Sequence, residues 1–97
     1  MEEQKTLIEK CIIAECDLDY KDALLFSVFQ IVNKRLNYLL ECLEKNRFDV
    51  YYANSLLCLS IYHLEYTIES FKIAEIEFEK ARGELFQSLK HTPQAKA

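Results

Sequence analysis

Glycine and proline are almost missing from this chain. Its 97 residues include one glycine, Gly83, and one proline, Pro93, and no tryptophan. Because most β-sheet folds need these two residues at their many turns, most all-β folds are excluded. A glycine-rich phosphate-binding loop is excluded for the same reason. Nothing before Gly83 interrupts a helix through either residue, so the composition favours an all-α fold.

One long segment also lacks charge. Residues 50–64 contain no Asp, Glu, Lys or Arg. The segment is shorter than the roughly 18 residues that a membrane-spanning helix needs, and it includes Asn54 and His63, so we expect no membrane span. Charge depletion of this kind is typical of the core of a protein–protein interface.

The net charge of −4 argues against a general nucleic-acid-binding surface, since affinity for phosphates comes mainly from clustered Lys and Arg. A small basic strip, Lys34, Arg35, Lys45 and Arg47, keeps open one alternative function, a dimeric regulator that contacts nucleic acid through the second predicted helix. The first residues show no basic segment followed by an apolar one, as a secretory signal would. We therefore expect a cytoplasmic location.

Catalytic and metal-binding patterns are weak. None of the four cysteines forms a Cys-x-x-Cys motif, and their apolar context predicts reduced, buried thiols. The chain has two histidines and no Glu-x-x-His pair for a metal site in a helical bundle. We expect no enzyme activity, no metal and no cofactor. A ligand-binding or metal-binding bundle that uses Cys58 and His63 is a further alternative.

The apolar spacing predicts an antiparallel helical hairpin made of a short N-terminal helix and two long helices. The short helix covers residues 3–16, and the long ones cover residues 20–45 and 50–90. Asp17 and Asp19 can cap a new helix and so predict a break before the second helix. The seven-residue spacing continues across this point, which leaves a single bent helix as the alternative. Residues 1–90 would form one domain, and residues 91–97 a flexible tail.

A tight turn is predicted at residues 46–49, where Asn46 tolerates a left-handed backbone and Asp49 can cap the third helix. Folding the chain back there pairs residues whose numbers sum to about 96, so that Leu36 faces Ser60. The third helix repeats small and large residues at intervals of seven: Ala53, Ser60, Thr67, Ala74, Ala81 and Ser88, and Leu57, Leu64, Phe71, Phe78 and Leu85. The seam of the second helix is expected to comprise Leu25, Phe29, Val32, Leu36, Leu39 and Leu43.

A second apolar stripe lies on the back of the third helix. Its spacings of three, four and seven place it opposite the seam, where a solitary hairpin cannot cover it. With exposed apolar residues of the second helix, it forms the predicted partner-binding set: Leu24, Val28, Ile31, Tyr52, Leu59, Tyr62, Tyr66, Ile73 and Ile76. Tyrosines suit an interface because each buries a large area and keeps a polar tip.

The hypothesis that follows is a non-enzymatic protein–protein interaction module. It would be a small self-associating adaptor or chaperone-like protein that buries the back face of the third helix against a partner. The partner would be a second copy, another helical protein, or both. In the simplest dimer, a two-fold axis brings Leu24, Val28 and Ile31 of one copy near Leu59, Tyr66 and Ile73 of the other, and a dimeric helical bundle results.

Overall fold

The computed structural model describes residues 2–91, and these residues form two long helices. Helix α1 spans Glu2–Glu44 and helix α2 spans Val50–His91. The all-α hairpin predicted from the sequence is confirmed. The predicted tail begins inside α2, which includes His91, and its remaining residues 92–97 lie outside the described part of the chain.

The predicted short N-terminal helix is wrong as a separate element. Asp17 and Asp19 lie within α1, and both are exposed. The helix continues because Leu18, between them, packs half-buried on the same line as Cys11 and Leu25, and no glycine or proline opposes it. The alternative of a single helix across this point is confirmed.

The turn has the predicted chemistry at both ends. Asn46 adopts a φ of 56°, while the amides of Asn46 and Arg47 donate to the carbonyls of Leu43 and Cys42, which closes the end of α1 with a Schellman pattern. At the start of α2, Asp49 Oδ1 accepts hydrogen bonds from the amides of Tyr51 and Tyr52 at 2.9 and 3.1 Å. Asp49 is therefore the N-cap of α2.

The two helices run antiparallel in close to the predicted register. Lys10 pairs with Glu84 near the open end, and Arg35 bonds Ser60 nearer the turn, so the paired numbers sum to 94 and 95. The small residues of α2 lie at the centre of the contact, where Ala53, Ser60, Ala74 and Ala81 are the buried ones. Small side chains at this spacing let two helix backbones approach closely.

The seam of α1 differs from the prediction by a rotation about the helix axis. Leu25, Val32 and Leu39 face α2 as expected, but Phe29, Leu36 and Leu43 are 51%, 43% and 56% exposed. The second inward line is formed instead by half-buried residues: Lys21, Val28, Arg35 and Cys42. The two inward lines of α1 alternate at spacings of three and four residues, and Phe29, Leu36 and Leu43 lie outside them.

The molecule is a thin rod with little interior. It measures 75 × 20 × 16 Å, and its radius of gyration of 21.8 Å exceeds the roughly 13 Å of a compact domain of this length. Among the large apolar residues of the described chain, only Leu39 is buried, at 7% exposure. The hairpin thus stabilises itself along one seam and leaves most of its apolar side chains in water.

Candidate interaction surface

The hairpin has two broad faces, one on each side of the seam. The predicted partner-binding residues, Leu24, Val28, Ile31, Tyr52, Leu59, Tyr62, Tyr66, Ile73 and Ile76, define what we call the tyrosine face. All of them are exposed except Val28, which is half-buried. Four of them, Val28, Ile31, Tyr62 and Tyr66, line one shallow groove of about 450 Å³ between the helices. The other five are exposed outside that groove.

His63 and Thr67 complete the groove on the tyrosine face. The His63 ring lies beside the Tyr62 ring, with centroids 6.3 Å apart and planes inclined at 52°. The Thr67 hydroxyl donates to the His63 carbonyl at 2.7 Å, so it is satisfied within its own helix. Tyrosine, histidine and apolar side chains together give the groove a surface that can exclude water and still form hydrogen bonds at its edge.

A second apolar surface lies on the opposite side of the hairpin, and sequence reasoning missed it. A groove of about 470 Å³ there is lined by Phe29, Leu36 and Leu64, with Val32 at its floor. Spacings of three, four and seven extend it along both helices. We call it the phenylalanine face: Phe29, Leu36, Leu40, Leu43, Leu57, Ile61 and Leu64. The signal that could have found it was the spacing of Val28, Arg35 and Cys42, which with Leu25, Val32 and Leu39 makes an equally regular seam and leaves Phe29 outside.

The four basic residues of the alternative hypothesis have different surroundings: Arg35 is half-buried, and the other three are exposed. Arg35 turns into the seam, where its Nη1 donates to Ser60 Oγ at 3.0 Å while Ser60 donates to the Leu56 carbonyl. Lys45 pairs with Glu41 on its own helix at 2.7 Å. Two of the four cations are thus engaged within the chain, and Arg35 forms no ion pair with any described residue.

The cysteines are free thiols, but they are not all buried as expected. Cys11 and Cys42 are half-buried at the seam. Cys16 of α1 and Cys58 of α2 are exposed, because each lies outside the seam of its own helix. Cys58 lies 4.0 Å from Asn54 Oδ1 rather than beside a histidine. Within residues 2–91, no three His, Cys, Asp or Glu side chains are grouped to hold a metal ion.

One titratable group near the turn is perturbed. The pKa of Tyr38 is raised above its ordinary value, first by a hydrogen bond with the Cys42 side chain and by the electrostatic interaction with that residue, and then by the nearby Tyr52. Arg47 acts in the opposite direction. The neutral phenol of Tyr38 is therefore favoured in the folded protein.

Comparisons with protein-family models, with curated proteins and with solved structures gave no significant match. Neither described helix contains a segment with the length and apolar character required to cross a membrane. The tyrosine face and the phenylalanine face are therefore the features that indicate a function.

Proposed function

We propose that this protein is a non-enzymatic protein–protein interaction module, a small self-associating adaptor or chaperone-like protein. The observation that carries the proposal is the near absence of an interior. Leu39 is the one large apolar residue of residues 2–91 that the fold buries, while apolar residues on both faces are exposed. Apolar area left in water on this scale is typical of surfaces that another chain covers.

The tyrosine face is the proposed site for a helical partner. Two parallel ridges, one from each helix, leave between them a groove into which a third amphipathic helix can lay its apolar side. Charges of both signs lie beside the groove: Lys34 is exposed three positions after Ile31, and Glu69 is exposed three positions after Tyr66. The partner we infer is an amphipathic helix whose apolar stripe is flanked by charges of both signs.

The solution mass tests self-association. Sedimentation equilibrium over a wide range of concentrations should give a species of twice the 11.5 kDa chain mass, with dissociation only on dilution. A helical protein that stays at 11.5 kDa at every concentration would contradict self-association.

The tyrosine face is tested in the native host with a photo-crosslinking amino acid. We expect p-benzoylphenylalanine in place of Tyr62 to give discrete heavier adducts of a protein other than this chain. The matched control replaces Phe86, which is similarly exposed but lies among charged residues near the open end. Equal crosslinking from both positions, or none from position 62, would refute docking on this face.

A further inference from the structure

The stripes of the two helices keep one seven-residue phase across the turn. Each stripe continues at intervals of seven from α1 into α2. On the seam the stripe is Val32, Leu39, Asn46, Ala53 and Ser60. On the phenylalanine face it is Leu36, Leu43, Val50, Leu57 and Leu64, and on the tyrosine face it is Ile31, Tyr38, Lys45, Tyr52 and Leu59. A hairpin does not require this continuity, because a turn of another length joins two helices in another phase. One uninterrupted helix does require it.

No residue of the turn prevents a helix from continuing through it. Residues 45–49 contain neither glycine nor proline. The turn depends instead on two local features, the left-handed backbone of Asn46 and the hydrogen bonds from the Tyr51 and Tyr52 amides to Asp49. Asparagine tolerates the left-handed conformation but does not demand it, since it also adopts a helical backbone. The segment can therefore be either a turn or part of a continuous helix.

The contacts of the seam do not depend on which copy supplies each helix. The paired residue numbers sum to 94 for Lys10–Glu84 and to 95 for Arg35–Ser60. If the turn straightens, two copies can lie antiparallel and form the same pairs, with α1 of each copy against α2 of the other. The closed hairpin and this dimer then share the whole seam and differ only at the turn. Protein concentration decides between two such forms.

We propose that two copies exchange helices, so that each chain becomes one continuous helix over residues 2–91 and two such helices pack antiparallel along the seam. The register of the seam places Asn46 of each copy opposite Asp49 of the other, where the amide can donate to the carboxylate. This arrangement rests on the self-association proposed above, and it moves the dimer contact from the tyrosine face to the seam.

The exchange determines where the tyrosine faces lie in the dimer. The two-fold axis of an antiparallel helix pair is perpendicular to the plane that contains both helices, so it leaves each broad face on its own side. Both tyrosine grooves therefore lie on one side of a rod about 135 Å long, at 1.5 Å per helical residue. The dimer can bind two helical partners along one line.

A distance measured within one chain tests the exchange. Spin labels are placed at exposed Cys58 and at Ala23→Cys, with Ser at the other three cysteine positions. The labelled chain is mixed with excess unlabelled chain and refolded from urea at high concentration, and the dimer is isolated by size exclusion. Electron–electron resonance should give roughly 50 Å for the continuous helix, against roughly 30 Å for a closed hairpin. A dimer that gives 30 Å overturns the exchange while self-association stands. A chain that stays monomeric after refolding overturns both.

Substitutions at Asn46 give a second test, with helicity checked by circular dichroism. Asn46→Gly favours the left-handed turn and should weaken dimerisation at least tenfold. Asn46→Ala disfavours that turn and favours a continuous helix, so it should strengthen dimerisation about tenfold. Asn54→Ala is the matched control, because residue 54 is exposed and helical in both forms, and it should leave the dimer unchanged. If Asn46→Gly dimerises as tightly as the wild type, the exchange is overturned.

Discussion

The turn half of the hairpin, residues 24–70, and the terminal half, residues 2–23 and 71–91, share one seam but differ on their outer surfaces. In both halves a small residue of α2, such as Ala53 or Ala81, is buried against α1 at intervals of seven. Outside the seam, the turn half contains 17 of the 25 exposed large apolar side chains of the described residues. The terminal half instead carries the Lys10–Glu84 ion pair and the Arg82 guanidinium 5.8 Å from the Phe78 ring.

The comparison distinguishes the seam residues, which hold the two helices together, from the outward residues, which determine the surface of the hairpin. Since the seam continues through both halves, the hairpin does not require the outward apolar residues of the turn half. In the terminal half, charged side chains occupy many of the outward positions. Exposed apolar residues that the hairpin does not need are best explained by a partner chain that covers them. This explanation is the basis of the proposed function.

Truncation at the seam should have the largest effect and should differ between the halves. Leu39→Ala removes the one large apolar side chain that is buried in the described chain, and we expect a loss of about 2–5 kcal/mol in the free energy of unfolding. Leu85→Ala, at a half-buried seam position of the terminal half, should cost less. Urea denaturation measures both. Equal losses would show that the seam is packed as tightly at Leu85 as at Leu39.

Overpacking the small-residue line should affect both halves equally. Ala53→Leu and Ala81→Leu each force a larger side chain between closely spaced backbones, and we expect each to cost about 1–3 kcal/mol. Ala23→Leu is the matched control, because Ala23 is exposed on the outer side of α1. Thermal denaturation compares the three variants. If Ala81→Leu proved as harmless as the control, the seam would not extend into the terminal half.

The turn should depend on one aspartate and not on its counterparts in the terminal half. Asp49→Ala removes the hydrogen bonds to the Tyr51 and Tyr52 amides, so it should lower the free energy of unfolding by about 1 kcal/mol. Asp19→Ala, within α1, removes no cap and should leave stability nearly unchanged. Urea denaturation of both variants tests the difference. A comparable loss from Asp19→Ala would indicate a helix boundary that the structure does not have.

The smallest effect concerns the titration of Tyr38. Because Cys42 raises the pKa of Tyr38, Cys42→Ala should shift that pKa back towards the ordinary value of 10.0. The contribution of Tyr38 to stability is present below the ordinary pKa and is lost as pH rises through the raised pKa of the folded state. A ¹³C NMR titration of the tyrosine ring carbons measures the shift, with Cys58→Ala as the control. An unchanged pKa in Cys42→Ala would assign the perturbation to Tyr52.

Sequence reasoning predicted the elements of the hairpin that depend on local chemistry. Asn46 and Asp49 fixed the turn because a left-handed backbone and a side-chain cap are properties of single residues. The register followed from the small and large residues of α2, and the observed Arg35–Ser60 bond lies within one residue of the predicted pairing of Leu36 with Ser60.

The predictions were wrong where two sets of residues indicated different structures. Asp17 and Asp19 resembled caps, but the packing of Leu18 against α2 kept α1 continuous. Phe29 and Leu36 are more hydrophobic than Arg35, yet they are exposed while Val28 and Arg35 are half-buried. Which of the two lines faces α2 is a property of the helix pair and not of either helix, so the phenylalanine face could not be predicted from α1 alone.

The narrow cross-section has a consequence for how the molecule recognises anything. At 20 × 16 Å, the rod is only two touching helices wide and one helix with its side chains thick. A ligand cannot be enclosed between α1 and α2 unless the two helices separate at the buried alanines. Any partner must therefore bind to the outer surface. Its selection depends on the order of side chains along the two apolar faces and not on the shape of an enclosed pocket.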